Sequence, residues 1–418
     1  MGGLNKDKTK SLPITKQMIW DGYMSVKRNA GGAGVDQMTI EGLEENLGDE
    51  LYKLWNRMSS GSYFPPEVKR VLIPKGGKGY RPLGIPTVLD RIAQYVVKAY
   101  IEPRLEEIFH ENSYGYRVGR SAHQALGQAR INCRQYDWVI DLDIKGFFDC
   151  IDHELLMKAV ERHAPEKWVQ MYVRRWLNAG VLHEDGRHEK SEKGTPQGGV
   201  ISPILANLYL HYGFDVWMRR KERTVQFERY ADDIIVHCKT EQEAERLLER
   251  IKERFKECGL ELNPEKTRIV YCKDSNRKGK TERPKKFTFL GYDFKPRKKW
   301  NTKEKREFTG FDLGISGKAK IKIRSVLKLL LTKLTTQTRL EDIAILVNAK
   351  LRGWIGYYAK FNRWDTRVLW TWFNYRLMNW IRKRYKRFRG SGRLAFRWLR
   401  KKYRFTPQLF VHWQLSTP

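Results

Sequence analysis

Two adjacent aspartates, Asp232 and Asp233, stand between two short segments with the composition of β-strands. Residues 226–238 are predicted to form a hairpin whose turn contains Ala231 and both acids. Placing two like charges side by side at such a turn costs free energy, because the carboxylates repel each other. A divalent cation removes that cost, and Mg²⁺ prefers hard oxygen ligands. Taken alone, the pair is typical of either a metal site or a solvated turn.

A second acidic segment lies about ninety residues earlier in the chain. Residues 138–142 are predicted to form an apolar strand, and the alternation of a strand places Asp141 and Asp143 on the same face. Asp141 also fits an outward position at the edge of a sheet. Two Mg²⁺ ions about 3.5–4 Å apart can activate a sugar hydroxyl and stabilise a leaving phosphate group. The two acidic segments therefore fit phosphoryl transfer, but each segment alone also fits a solvated turn, and the motif between them bears on the choice.

A turn rich in proline and glycine lies between the acidic segments. It reads GTPQGGVISP at residues 194–203, and an apolar helix is predicted from Ile204. Gly198 and Gly199 lack side chains, so a flat base or sugar could approach the backbone closely. The glycines alone also fit an ordinary connection between a loop and a helix.

The net charge of the chain indicates a polyanionic partner. The 418 residues include 81 Lys and Arg against 48 Asp and Glu, which gives a net charge of +33. Residues 350–418 contain 18 Lys and Arg, a single acid and half of the 14 tryptophans, and residues 276–310 form a second basic block. Nucleic acid is the usual partner of such a surface. The five cysteines form no CxxC pair, which favours a reducing compartment, and no apolar run is long enough to span a membrane.

The periodicity of apolar residues predicts an α/β region followed by helices. Beyond residue 316 the pattern is helical, with an apolar stripe at Leu340, Ile343, Val347, Leu351, Trp354 and Tyr358. The other helices are predicted at 41–58, 87–109, 153–162 and 242–258. The other strands are predicted at 67–73, 260–262, 268–272 and 287–294.

Several ordered motifs resemble the group II intron-encoded reverse transcriptase/maturase family. They are RPLGIPTVLDR (81–91), NSYGYRVGR (112–120), DLDIKGFFD (141–149), GTPQGGVISP (194–203), YADD (230–233), GLELNPEKT (259–267), FLGYDF (289–294) and GWIGYY (353–358). The resemblance runs from about residue 18 to near the end of the sequence. It implies an α/β (α+β) right-hand polymerase, with fingers and a palm built on an antiparallel sheet, followed by an all-helical thumb/maturase domain.

The same resemblance implies a division of the chain into domains. Residues 1–60 are an N-terminal extension, 61–310 the fingers and palm, and 311–369 the helical thumb or maturase (X) domain. Residues 370–418 are a short basic segment that matches a truncated DNA-binding region. No HNH endonuclease domain is expected.

The family's site residues carry over to matching positions of this sequence. Asp143, Asp232 and Asp233 match the catalytic acids that bind two Mg²⁺ ions, for which Mn²⁺ can substitute. Phe148 matches an aromatic gate that excludes a ribose 2′-hydroxyl, although a Phe-Phe pair by itself is typical of a core. The remaining nucleotide-binding assignments are Lys75, Arg81, Gln197 and Lys266. Lys75 and Arg81 flank a glycine turn that also fits the tip of a hairpin, and Lys266 could protonate pyrophosphate or simply lie at the surface.

Ten basic residues are predicted to bind nucleic acid: Arg117, Arg120, Arg352, Lys360, Arg363, Arg382, Lys383, Arg384, Lys386 and Arg387. The expected partners are intron RNA, an RNA template with a DNA or RNA primer, target DNA and dNTPs, with no membrane. The bacterial cytoplasm is the expected location, and an organelle is the alternative.

The resemblance implies an RNA-directed DNA polymerase, a nucleotidyltransferase encoded by a mobile intron. Such an enzyme copies RNA into cDNA and binds intron RNA to assist splicing and retrohoming. Two alternatives remain: a splicing maturase with a reduced polymerase role, and a domesticated reverse transcriptase in defence or repair. The acids separate the first alternative from the polymerase, because a pure maturase would not need Asp232 and Asp233.

Overall fold

The computed structural model of the protein describes residues 11–74, 79–332, 334–335 and 337–418. The chain forms two compact units. The first contains the described residues up to 121, together with 142–236 and 245–268, and the second contains 122–141, 237–244 and the described residues from 269 onwards. Within the described residues, no helix has the length and apolar character needed to cross a membrane.

The secondary structure alternates helices and strands up to residue 315 and is helical beyond it. The helices are α1 (Lys16–Asn29), α2 (Ile40–Glu44), α3 (Leu47–Ser59), α4 (Val88–Ile108), α5 (Ala122–Gln135), α6 (Phe147–Cys150), α7 (His153–His163), α8 (Lys167–Leu177), α9 (Ser202–Leu210), α10 (Val216–Lys221), α11 (Glu241–Glu257), α12 (Gly317–Thr332), α13 (Leu340–Tyr358), α14 (Arg363–Arg384) and α15 (Gly392–Phe405). The strands are β1 (Val68–Pro74), β2 (Tyr80–Ile85), β3 (Trp138–Asp143), β4 (Val181–Leu182), β5 (His188–Glu189), β6 (Gln226–Tyr230), β7 (Asp233–Cys238), β8 (Arg268–Tyr271), β9 (Phe287–Phe289), β10 (Tyr292–Asn301) and β11 (Arg306–Ile315).

One sheet of the first unit is built on a hairpin near the N-terminus. Strands β1 and β2 pair antiparallel, with Ile73 opposite Arg81, and the sheet has the order β2-β1-β4-β5. The strand predicted at 67–73 is confirmed to within one residue.

A second sheet, of order β6-β7-β3-β8, carries the acidic segments. Asp143 is the last residue of β3 and Asp233 the first of β7, and the apolar residues Ile234 and Ile235 after it are at most 1% exposed. The predicted hairpin at 226–238 is therefore confirmed. The strand predicted at 260–262 is reduced to a single bridge between Leu262 and Ile144.

The predicted helices of the first unit are confirmed with one exception. Helices α4, α7 and α11 lie where the apolar periodicity places them. The helix predicted over 41–58 is instead two helices, because Asn46 adopts φ −136° and ψ 40°, outside the helical region. A π-helical turn, His211–Asp215, continues α9 and was not predicted.

The second unit contains an antiparallel sheet of order β11-β10-β9. The single strand predicted over 287–294 is wrong. Leu290 and Gly291 both have positive φ, 47° and 80°, and reverse the chain there into β10. Strands β10 and β11 then pair along their whole length, from Tyr292 opposite Ile315 to Asn301 opposite Arg306. Residue 310, the expected end of the palm, lies inside β11.

The helices α12 to α15 share one apolar core, as predicted for the region beyond 316. The stripe on α13 is confirmed: Leu340, Ile343, Val347 and Leu351 are at most 1% exposed. Helix α14 runs across residue 369, the expected end of the thumb. Its N-terminal turn contains Asp365, the single acid of residues 350–418, which forms ion pairs with Lys320 at 3.1 Å and Arg297 at 3.4 Å.

Candidate active site

The turn between β6 and β7 has an unusual backbone. Ala231 has a φ of 57°, in the left-handed region that costs a non-glycine residue roughly 1–2 kcal/mol. The segment before Tyr116 passes so closely that a Cβ on Gly115 would lie 2.4 Å from the Ala231 nitrogen. Only glycine at position 115 leaves enough space for this segment to pack against the acidic turn.

A buried arginine fixes the conformation of this turn. The Arg229 guanidinium donates to the Ala231 carbonyl oxygen at 3.2 Å and makes two hydrogen bonds to the Asp215 carboxylate, at 2.8 and 2.6 Å. It also donates to Asn207 Oδ1 at 2.9 Å, and Asn207 Nδ2 in turn donates to the Gly115 carbonyl oxygen at 2.7 Å. The Arg229 and Asp215 side chains are both fully buried. The cluster thus ties four segments of the chain to the turn.

Asp143 lies at the end of β3 beside a lysine. Lys266 Nζ is 3.0 Å from Asp143 Oδ2 and 3.3 Å from Oδ1. The Asp143 backbone N–H donates to Thr267 Oγ1 at 3.3 Å, and its carbonyl oxygen accepts from Asn263 N–H at 2.8 Å. The segment 263–267 therefore holds both the backbone and the carboxylate of Asp143. Its Lys266 side chain supplies the positive charge that pairs with this carboxylate.

The electrostatics of the site show negative charge that is only partly neutralised. Burial raises the pKa of the Asp232 carboxyl, and the charge of Asp143 raises it further, while the Arg81 guanidinium opposes both effects. Partial desolvation raises the pKa of the Tyr116 phenol, with a contribution from the charge of Asp232. Tyr116, Arg81 and Asp143 therefore all lie within electrostatic range of Asp232.

The donor set fits a divalent cation chemically. Carboxylate oxygens are the hard ligands such an ion prefers, and a bound cation would counter the rise in the pKa of Asp232 that burial and, to a lesser extent, the charge of Asp143 cause. Within the part of the chain that the structure describes, no three His, Cys, Asp or Glu side chains form a group that could hold a metal ion. The fit therefore rests on the chemistry and charge of the carboxylates.

The predicted nucleotide-binding residues lie on elements around a shared loop. Phe148 on α6 is half-buried, its ring is 5.4 Å from that of the buried Phe147, and its carbonyl oxygen accepts from Thr195 N–H at 2.8 Å. The Gln197 carbonyl oxygen accepts from Gly84 N–H at 2.8 Å, and Gln197 lines a cavity of about 360 Å³. Phe148 and Gln197 are thus linked through the 194–203 loop. Arg81 is exposed on β2, and Lys75 lies outside the described residues.

The predicted nucleic-acid-binding residues divide into internal and exposed groups. Arg117 is internal: its side chain is 5% exposed and donates to Glu106 and to the carbonyl oxygens of His110 and Ser113. Arg120 is exposed beside the Tyr114 ring.

In the helical region, six of the predicted residues are exposed: Arg352, Lys360, Arg363, Lys383, Lys386 and Arg387. Arg382 and Arg384 are half-buried and donate to the carbonyl oxygens of Arg389 and Gln337. Arg382 and Lys383 also line a basic cavity of about 580 Å³ together with Arg376, Trp380 and Arg389. Among the aromatic residues, Trp370 is core, whereas Trp364 is 69% exposed.

Sequence reasoning did not identify two residues of this site, Arg229 and Tyr116. Arg229 has only a weak signal: it is a charged residue near the acidic turn, but the neighbouring Glu228 of the same strand is charged and buried as well. Its partner Asp215 lies on the π-helical turn, and no local pattern connects the two. Tyr116 has positive φ and lies next to Gly115, but its proximity to Asp232 depends on the fold.

Comparison with known proteins finds two family models and a bacterial relative that match this chain. The family model described as reverse transcriptase (RNA-dependent DNA polymerase) matches residues 73–294, and the model described as group II intron, maturase-specific domain matches residues 320–404. Protein YkfC of Escherichia coli (strain K12) is 33% identical in an alignment of 302 residues that covers 63% of this chain and 76% of YkfC.

Two further similarities cover different shares of the chain. Group II intron-encoded protein LtrA of Lactococcus lactis subsp. cremoris is 35% identical over 192 residues, 45% of this chain and 31% of LtrA. The chain thus aligns with under a third of LtrA. The structure of telomerase from Candida albicans with a fragment of telomeric RNA matches with a TM-score of 0.47 and 13% identity, over 90% of this chain and 67% of the telomerase chain.

Proposed function

Because this chain belongs to the reverse transcriptase (RNA-dependent DNA polymerase) family and contains a group II intron maturase-specific domain, we propose that it copies RNA into DNA at Asp143, Asp232 and Asp233. The family uses divalent metal ions, and in this chain the three aspartates would hold two Mg²⁺ ions, with Mn²⁺ as a substitute. Bound there, the ions would supply activation of the primer 3′-hydroxyl and stabilisation of the pyrophosphate leaving group. The observation that carries this proposal is the fixed acidic turn beside Asp143.

The protein's own residues orient the reacting groups. The Arg229 cluster holds the Ala231 turn in one conformation, which fixes the backbone from which the Asp232 and Asp233 side chains project. The primer 3′-hydroxyl releases its proton to solvent as its oxygen bonds to the α-phosphorus of the dNTP, and the bond from that phosphorus to the pyrophosphate oxygen breaks. In this proposal Lys266, whose Nζ lies 3.0 Å from Asp143, donates a proton to the leaving pyrophosphate. Alignment of the reactants supplies much of the rate.

The nucleotide pocket in this proposal lies between α6, β2 and the 194–203 loop. In this proposal the half-buried Phe148 ring excludes a ribose 2′-hydroxyl, and Gln197 contacts the same nucleotide from the loop whose Thr195 N–H donates to the Phe148 carbonyl oxygen. The exposed Arg81 binds the triphosphate, and Lys75 is assigned to the same task from the sequence. In this proposal residues 61–310 act as fingers and palm.

The helical region, in this proposal, binds intron RNA and assists splicing and retrohoming. Its exposed cations can contact phosphates, and the exposed Trp364 can stack on an unpaired base. Template sequence is read by base pairing, so these contacts are to the backbone of the RNA or of the target DNA. The alternative of a maturase with a reduced polymerase role is not favoured, because the three acids are retained.

The bacterial cytoplasm is the proposed location. Relatives occur in bacteria, as with YkfC and LtrA, and one relative is a mitochondrial nuclear intron maturase of Arabidopsis thaliana. An organelle remains the alternative.

The test of the proposed function is primer extension on an RNA template by Asp232→Asn. This change removes one ligand charge, so dNTP incorporation should be abolished while RNA affinity stays near wild type. Asp49→Asn, which changes an acid on the distant helix α3, is the matched control and should be fully active. Activity of Asp232→Asn above about a tenth of wild type, equivalent to less than roughly 1.4 kcal/mol of transition-state stabilisation, would show that Asp232 is not a catalytic ligand.

A further inference from the structure

Two buried polar side chains lie one turn apart on α4, away from the three aspartates. Asp90 is 1% exposed and Gln94 is 3% exposed. Gln94 Nε2 donates to Asp90 Oδ2 at 2.9 Å. Buried polar groups are nearly always hydrogen-bonded, and the partners of these two side chains connect α4 to the 194–203 loop.

The partners of Asp90 require its carboxylate to accept. Asp90 Oδ1 receives the Tyr63 hydroxyl at 2.8 Å and the Trp176 indole N–H at 2.7 Å. An indole nitrogen can only donate. With Oδ1 occupied by two donors, Oδ2 faces the Gln94 side chain, which must therefore present its NH₂ group.

This requirement fixes the orientation of the Gln94 amide. Its oxygen points to the 194–203 loop, where it accepts from the backbone N–H of Val200 at 2.7 Å and of Ile201 at 3.3 Å. A reversed amide would place an NH₂ group against these two N–H donors. Donation thus runs inward from both ends, from Trp176 and from the loop through Gln94, and converges on the Asp90 carboxylate.

The 194–203 loop is anchored at Gln197 itself and again a few residues later. Gly84 N–H binds the Gln197 carbonyl oxygen, and a Cβ on Gly198 would lie 2.3 Å from the Gly84 oxygen, so the backbone is tightly packed there. Gln94 supplies the anchor on the far side, three residues later. It is therefore placed to set the position of Gln197 without reaching into the pocket.

We propose that Gln94, oriented by Asp90, is a positioning residue that holds the 194–203 loop in the conformation that binds the incoming dNTP. The proposal rests on the proposed function, in which Gln197 lines the nucleotide pocket. Its consequence is specific: disturbing this pair should raise the KM for dNTP while kcat at saturating dNTP and affinity for the primer and template stay near wild type.

Exchanging the two side-chain types provides the test. Asp90→Asn turns an NH₂ group toward Gln94 and forces its amide to reverse. Gln94→Glu places two carboxyl groups against each other, which share a proton at low pH and repel once both are ionised, so its KM is measured at alkaline pH. Each single variant should raise the KM for dNTP by about tenfold or more. The double variant Asp90→Asn/Gln94→Glu restores every donor and acceptor, because the new amide at position 90 donates to the new carboxylate at position 94, which also accepts from the loop. Its KM should return to within about threefold of wild type, at unchanged net charge.

The matched control is the pair Gln17 and Asp21 on α1. There Gln17 Nε2 also donates to an aspartate one turn away, at 2.8 Å, but both side chains are exposed. The same exchange at this pair should leave the KM for dNTP unchanged. If the single variants at Asp90 or Gln94 do not fold, Gln94→Met provides a second test, because it removes the anchor without bringing two acids together, and it should raise the KM in the same way.

The outcomes separate this inference from the proposed function. A wild-type protein without RNA-directed polymerisation would refute the proposed function itself. An active wild type whose double variant is no better than the worse single variant would overturn the directional pairing. Variants that lower kcat or the melting temperature with an unchanged KM would show that the pair supports the fold only, and the positioning role would be wrong.

Discussion

Arg229 illustrates how a buried ion pair can serve geometry more than stability. The desolvation of two charges offsets most of the attraction between Arg229 and Asp215, so such a pair contributes little net stability, whereas removing one partner costs about 3–5 kcal/mol. What the pair provides is a guanidinium held rigidly enough to donate to the carbonyl oxygen of the left-handed Ala231. Its main role is therefore at the acidic turn.

Stability and activity should separate at this pair. Arg229→Met should lower the free energy of unfolding by about 3–5 kcal/mol, because it leaves the Asp215 carboxylate buried and unpaired. Arg229→Met/Asp215→Leu should recover most of that loss in urea denaturation but should not recover primer extension, since Ala231 still lacks its donor. The control is Arg130→Met/Asp312→Leu, the same apolar exchange at another bidentate ion pair, and this variant should remain active in primer extension. Full activity in the Arg229 double variant would contradict the role assigned to Arg229.

The sugar gate makes a second prediction at the scale of a residue. Phe148→Val replaces a half-buried ring with a void, so the ratio of rNTP to dNTP incorporation should rise by about tenfold or more. Single-nucleotide incorporation on an RNA template measures this ratio. Phe147→Val is the matched control: Phe147 is 2% exposed, so its truncation should lower stability and leave the ratio unchanged. An unchanged ratio in Phe148→Val would remove Phe148 from the pocket.

At the scale of an element, the 3₁₀ turn Val411–Gln414 is joined to α14 through a buried histidine. His412 Nε2 donates to Asn374 Oδ1 at 2.8 Å, and the Trp413 indole donates to the same oxygen at 3.1 Å. His412 is fully buried, and burial lowers its pKa to about 3. The neutral ring is thus part of the packing between this turn and α14.

The lowered pKa predicts acid sensitivity of the helical region. Because the folded pKa lies below the unfolded value of about 6.5, the contribution of His412 to stability is complete above that value and is lost as the pH falls toward 3. Between pH 7 and pH 5 the loss should be about 2 kcal/mol. His412→Gln cannot titrate, so its free energy of unfolding, measured with urea at each pH, should fall less steeply than that of wild type. Parallel curves for the two proteins would show that His412 does not contribute.

At the scale of the whole molecule, the basic helical surface should dominate RNA affinity. Each phosphate neutralised contributes about −0.7 to −0.9 to the slope of log affinity against log salt. Changing the exposed Lys383, Lys386 and Arg387 together to Gln should therefore weaken binding of intron RNA and flatten the slope by about 2. Primer extension at saturating template should persist, because the three aspartates lie in the other unit.

The control for this variant removes the same charge elsewhere. Arg246, Lys252 and Lys256 are exposed on α11, where acidic residues balance them, so changing these three to Gln should leave the salt slope near wild type. If the control and the helical variant flatten the slope equally, the helical surface has no special part in binding RNA.

The family, the right-hand polymerase fold and the class of enzyme predicted from the sequence are confirmed by the family matches. Local sequence patterns were sufficient to predict an element whose own residues show the periodicity, as in the apolar stripe of α13 and the hairpin around Asp232. They were insufficient where the determining contact is distant in sequence. Gln94 meets Val200 across 106 positions, and Arg229 meets Asp215 through a π-helical turn. Strand β10 was missed beyond residue 294 because its several lysines and arginines hide the alternation of a strand.

The pairing of Asp365 affects how the protein behaves during preparation. Its two carboxylate oxygens face Lys320 and Arg297, so the one acidic side chain of residues 350–418 is already committed to cations of the protein. Such a surface releases a bound polyanion only when salt or another polyanion takes its place. In a cell extract the protein would carry cellular RNA through gentle washing, absorb strongly at 260 nm, and become free of nucleic acid only in high salt or on a competing resin such as heparin.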